Sequence, residues 1–133
     1  MKYKKDKQKM HRKHKIQKVK EGENKKVDLK NNEIAFFKIF IFKKDFPLQI
    51  RFHEFKGEAM LFYSKNEENK HPNMHRYDKL LIIDPKQTEL VNINFHRADN
   101  EQKYFYFSFS AEDYTTFEFS TQFTQSSFSF IFN

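Results

Sequence analysis

The stretch KYFYFSFS, residues 103–110, is followed three residues later by YTTFEFSTQF, residues 114–123, and the pair decides the fold. Phenylalanine alternates with small or polar residues in both segments, and this period of two places alternate side chains on one face of a β-strand. The intervening Ala-Glu-Asp supplies turn-forming residues. We interpret the aromatic side of the two strands as the core of a β-sandwich.

The same alternation recurs on both sides of this pair. Further strands are predicted at 35–43, 48–55, 59–64, 80–83, 89–95 and 126–132. Turn residues separate them, and the longest connection is a polar 14-residue loop at 65–78, which is interpreted as functional or as an insertion. No helical period follows residue 33. The sequence therefore predicts an all-β, jelly-roll-like antiparallel β-sandwich of about eight short strands over residues 33–133.

The first part of the chain differs sharply from the rest. Residues 1–30 hold 13 Lys and Arg against four Asp and Glu, a net charge of +9, whereas residues 31–133 sum to −2. All 18 phenylalanines lie at or beyond Phe36. Residues 1–32 are therefore predicted to be a basic tail, extended or partly helical and disordered when free in water.

A basic arm on a nearly neutral body favours an acidic partner. Two partners fit it, an acidic protein surface such as the tubulin lattice and the phosphate backbone of RNA. The predicted contacts are the basic side chains of the first 20 residues: Lys2, Lys4, Lys5, Lys7, Lys9, Arg12, Lys13, Lys15, Lys18 and Lys20. Charge alone does not separate the two partners.

Residues that carry chemistry are sparse. The chain has no cysteine, and its two glycines cannot form a phosphate-binding loop. His71 and His75 share the long loop with Glu67, Glu68 and Asp78, the one mixed group of ligand types in the body, but loops collect polar residues anyway. We predict no catalytic residue, no metal site, no cofactor and no enzymatic activity.

The order of short sequence motifs in residues 34–123 resembles that of the pre-peptidase C-terminal (PPC) domain family. The matching segments are residues 57–64 (GEAMLFYS), His71-Pro72, Tyr77-Asp78, residues 104–110 (YFYFSFS) and Phe117-Glu118-Phe119. The resemblance implies a small jelly-roll β-sandwich. Where calcium-binding members carry acidic side chains, this chain has Glu58-Ala59-Met60, so calcium binding is not expected.

Similar domains occur in axonemal proteins of ciliated protists, where the resemblance implies a scaffolding role. We therefore expect a non-catalytic structural component of a large intracellular assembly, in the cytoplasm, cytoskeleton and cilium axoneme. The alternatives are an RNA-associated peripheral protein of a ribosome or mitochondrion, and a ligand-binding accessory module. No membrane span is expected, because the longest apolar run, 34–42, is too short and contains Lys38.

Overall fold

A computed structural model describes residues 15–41, 46–95 and 104–124. These residues form nine β-strands. They are β1 (Ile16–Val19), β2 (Asn24–Leu29), β3 (Ile34–Phe40), β4 (Leu48–Lys56), β5 (Ala59–Ser64), β6 (Lys79–Ile83), β7 (Leu90–Ile93), β8 (Tyr104–Ser110) and β9 (Thr115–Phe123). Within the described ranges there is no helix long and apolar enough to cross a membrane.

The strands form two facing sheets. The five-stranded sheet has the order β1-β3-β8-β5-β6, and the four-stranded sheet has the order β2-β9-β4-β7. The eight strands from β2 to β9 divide into two sets of four in jelly-roll order. β1 adds to one sheet by pairing parallel to β3, while every other pairing is antiparallel. The predicted all-β sandwich is confirmed. β4 to β9 fall within two residues of the predicted strands, while β3 begins one residue early and ends at Phe40, three residues before the predicted end.

The predicted boundary at residue 32 is wrong. β1 and β2 both lie inside the predicted tail, and β2 is the first of the eight jelly-roll strands. Val19, Val27 and Leu29 are 2%, 6% and 1% exposed, so three apolar side chains suffice to tie this basic segment to the core. Its described lysines are exposed to solvent apart from Lys25, which is half-buried. The predictions for residues 1–14 and 126–132 fall outside the described residues.

Phenylalanine dominates the core, as the sequence predicts. Phe107 is completely buried and its ring contacts four others, with centroid distances of 5.6 Å to Phe37, 5.6 Å to Phe105, 5.9 Å to Phe109 and 5.8 Å to Phe119. Two of these contacts are stacked and two are edge-to-face, and both arrangements stabilise beyond the area that they bury. The alternation of phenylalanine with small or polar residues along 103–123 thus places these rings in the core.

The tight turn between β4 and β5 depends on Gly57, which has a φ of +107°. A Cβ at this position would collide with Thr115 Oγ1 and lie 3.0 Å from Thr115 Cβ. We expect Gly57→Ala to lower the free energy of unfolding by about 3 kcal/mol, since it adds steric overlap to backbone strain.

Gly22→Ala is the matched control, because Gly22 also has a positive φ, +84°, but has open space around it. Its expected cost is about 1 kcal/mol. Equal losses of stability in urea titrations of the two variants would contradict the role assigned to Thr115.

Candidate functional site

The two sheets present different outer faces. On the four-stranded sheet the outward side chains are mostly polar, and Gln49 Nε2 donates a hydrogen bond to Asn92 Oδ1 at 3.3 Å across β4 and β7. On the five-stranded sheet they include Phe36, Phe62 and Tyr106, which are 3%, 1% and 4% exposed. A sheet face that is both outward and buried needs a cover.

The cover is the loop 65–78. His71 packs edge-on against Phe36 with ring centroids 4.9 Å apart, and Tyr77 lies 5.6 Å from Phe62. Ser108 Oγ donates to the Pro72 carbonyl, and Ser108 is fully buried. Ser108 alternates with phenylalanines along β8 and yet is shielded from water, because the loop folds back over β8.

Asp78 holds the end of this loop in place. Its Oδ2 accepts hydrogen bonds from Ser64 Oγ at 3.2 Å and from the Lys65 amide at 2.8 Å. His71 faces an aromatic ring, and the His75 amide donates to Asn73 Oδ1 at 2.8 Å. Among the residues that the structure describes, no three His, Cys, Asp or Glu side chains are grouped to hold a metal ion. The polar loop residues thus serve the packing of the loop itself.

Next to the covered area, β1, β3 and β8 form a second surface, exposed at Lys18 and Phe40, half-buried at Lys38 and Tyr104, and buried at Tyr106. Lys18 pairs with Lys38, and Lys38 pairs with Tyr106, so these three side chains form a row across the strands. Phe40 pairs with Tyr104 one step further along. Phe40 is 44% exposed and meets Tyr104 edge-on at 5.6 Å. We call these five residues the lysine–tyrosine surface.

Two ammonium groups converge on one ring of this surface. Lys38 Nζ lies 4.8 Å and Lys18 Nζ 5.8 Å from the centroid of the Tyr104 ring. Cation–π attraction at exposed sites contributes about 0.5–1 kcal/mol each, enough to orient the two side chains although their charges repel. The surface therefore presents two positive charges side by side.

Glu67 acts electrostatically on Tyr106, one of the five residues of this surface. Burial, then the carboxylate of Glu67, then Tyr104 raise the pKa of Tyr106 above its ordinary value. Tyr106 therefore stays neutral at physiological pH. The positive charge of the surface is carried by Lys18 on β1 and Lys38 on β3.

The ten predicted partner-binding residues divide into two groups. Lys15, Lys18 and Lys20 are described, and all three are exposed on or beside β1. The other seven, Lys2, Lys4, Lys5, Lys7, Lys9, Arg12 and Lys13, lie outside the described residues. Of the described three, the structure brings Lys18 to the lysine–tyrosine surface.

Sequence reasoning did not single out Lys38, Tyr104 or Phe40 as site residues. Lys38 did give a signal, because it is the one charged residue in the apolar run 34–42. A charge in the middle of a strand that is otherwise apolar on both faces marks the place where that face reaches solvent. The pairing of β1 with β3, which brings Lys18 beside it, has no counterpart in the local sequence.

Further clefts lie elsewhere on the described surface, and two of them border the turns and the long loop. One, of about 400 Å³, runs along the β4–β5 and β8–β9 turns and is bordered by Glu58, Glu112 and Asp113. The other, of about 360 Å³, opens beneath the long loop and is lined by Ile34, Phe36, Met60, Phe62 and Met74 with His71 and His75. The first cleft offers acidic and backbone groups, and the second offers mainly apolar contact.

Comparisons of the chain with protein-family models, with curated proteins and with solved structures gave no match.

Proposed function

We propose that this protein is a non-catalytic structural component of a large intracellular assembly, and that its basic N-terminal region binds an acidic protein surface. The convergence of Lys18 and Lys38 on Tyr104 is the observation that carries the proposal. It supplies a fixed, positively charged surface on the body of the sandwich, beside the exposed Lys15 and Lys20. A partner of opposite charge would be drawn to it by complementary electrostatics.

The acidic partner that we propose is the microtubule lattice of a ciliary axoneme. The support is the resemblance of residues 34–123 to PPC-like domains of axonemal proteins, together with the net charge of +9 in residues 1–30. The jelly roll acts as a rigid platform, while residues 1–20 and Lys38 provide charge. Binding of this kind weakens as salt rises, because exposed charges are screened within about 8–10 Å.

Co-sedimentation of the full chain with microtubules tests the proposal. The double variant Lys18→Gln/Lys38→Gln removes two charges from the lysine–tyrosine surface, and we expect its Kd to rise about tenfold, at about 0.7 kcal/mol for each exposed charge contact. The matched control is Lys79→Gln/Lys86→Gln, which makes the same change of net charge near β6. This control is expected to bind like the unaltered chain.

Two outcomes would overturn the proposal. In one, both double variants bind microtubules as tightly as the unaltered chain. In the other, the protein recovered from cell extract is held by RNA, so that nuclease treatment releases it and microtubules do not retain it. The steep salt dependence expected for contacts with RNA phosphates would accompany this second outcome.

A further inference from the structure

We propose that the open edge of β1 takes up an extended acidic peptide segment as an added β-strand. This inference rests on the proposed function, since it specifies how an acidic protein partner is held. β1 is the terminal strand of the five-stranded sheet and is bonded to β3 on one side. Between described residues, no backbone hydrogen bond is formed by the other side of Ile16–Val19.

An unpaired strand edge is a ready template for another extended chain. The edges of this sheet differ in how they are protected. β6 (KLLII) has no charged residue between Lys79 and Asp84, whereas β1 is flanked and interrupted by the exposed Lys15, Lys18 and Lys20. Lysines on an edge repel most strands and select one that carries acidic side chains.

The register of β1 indicates where those acidic side chains would lie. Ile16 pairs with Phe36 and Lys18 with Lys38, so both β1 side chains belong to the outer face. Because opposite residues of neighbouring strands point to the same side, alternate residues of an added strand lie beside Lys18 on that face. A peptide with Glu or Asp at every second position therefore places its carboxylates next to Lys18.

The same geometry favours a peptide over single-stranded nucleic acid. Base stacking needs an open ring face, but the ammonium groups of Lys38 and Lys18 lie over the ring of Tyr104. Phe40 meets this ring edge-on. Nucleotides also lack the alternating amide and carbonyl groups that would pair with the β1 edge. The rings orient the lysines, and the edge supplies backbone hydrogen bonds.

Binding of synthetic peptides to the full chain tests the inference. The probe is a capped ten-residue peptide of alternating glutamate and threonine, made unmodified, N-methylated on the glutamate amides, or N-methylated on the threonine amides. In an added strand only one of these amide sets faces β1. We therefore expect one methylated peptide to bind at least about tenfold more weakly, because the two or three hydrogen bonds that these amides donate to β1 are lost. The other should bind like the unmodified peptide.

A second readout locates the bound peptide. The unmodified peptide should slow amide hydrogen exchange in Ile16–Val19, and Lys18→Gln/Lys38→Gln should weaken its binding while Lys79→Gln/Lys86→Gln does not. If all three peptides bind equally and β1 exchange is unchanged, the strand addition is wrong, while the proposed function stands on its microtubule result. If no peptide binds but an oligouridylate binds at the lysine–tyrosine surface, the inference is also overturned.

Discussion

Replacing Phe107 by alanine is expected to lower the free energy of unfolding by about 3–5 kcal/mol. The side chain is fully buried, and four phenylalanine rings surround it, so the neighbours cannot close the space left behind without disturbing one another. Since small domains have about 5–15 kcal/mol of stability in total, this is a large fraction of the whole. Urea unfolding followed by circular dichroism measures the loss.

Two variants complete the Phe107 experiment. Phe107→Leu retains part of the volume and should fall between the alanine variant and the unaltered chain. Phe40→Ala removes the same side chain from a site that is 44% exposed, and we expect it to cost less than about 1 kcal/mol. Similar losses for Phe107→Ala and Phe40→Ala would contradict the assignment of the 103–110 stretch to the core.

Deleting residues 1–30 is expected to abolish cooperative folding. The deletion removes β1 and β2, and with them the buried side chains of Val19, Val27 and Leu29. Each contributes about 1.5–3 kcal/mol by burial, so their sum approaches the stability of the whole domain. It also leaves β9 without its antiparallel neighbour along six residue pairs.

The matched control for this deletion removes residues 1–14 alone. All nine described strands begin at or after Ile16, so this shorter chain should unfold cooperatively near the denaturant midpoint of the full chain. Chemical-shift dispersion in amide spectra distinguishes the two truncations. A folded protein lacking residues 1–30, with an unchanged midpoint, would restore the boundary at residue 32 that the sequence predicts. If both results are as expected, the contribution of residues 1–14 to partner binding can be measured by deletion. The contribution of residues 15–30 needs substitutions, because deleting β1 and β2 would unfold the domain.

The long loop shows how far sequence patterns extend. Its length and polarity predict a connection between two strands, and in the structure it connects β5 to β6. The loop sequence, KNEENKHPNMHRYD, does not predict that His71 packs on Phe36 or that the Pro72 carbonyl accepts a hydrogen bond from Ser108. Those contacts join residues about 35 positions apart, and local patterns carry no information on such pairings.

The candidate site was only partly accessible from the sequence, for the same reason. Lys18 was predicted to contact a partner because of the charge around it, but as part of a tail. Its place on β1 depends on a parallel pairing with β3, across 20 residues of sequence. Lys38 and Tyr104 became site residues only through that pairing and the antiparallel pairing of β3 with β8.

The order of amino acids alone determines that this chain forms β-structure, where seven of its strands lie, and which phenylalanines fill its core. A period of two is a local property, and burial of one face follows from it directly. The 103–123 stretch already contains this information. The tertiary structure alone decided that residues 16–29 belong to the domain, because short strands among lysines become stable only against neighbours already in place. It also decided which lysines stand together, because the pairing of distant strands sets their distance.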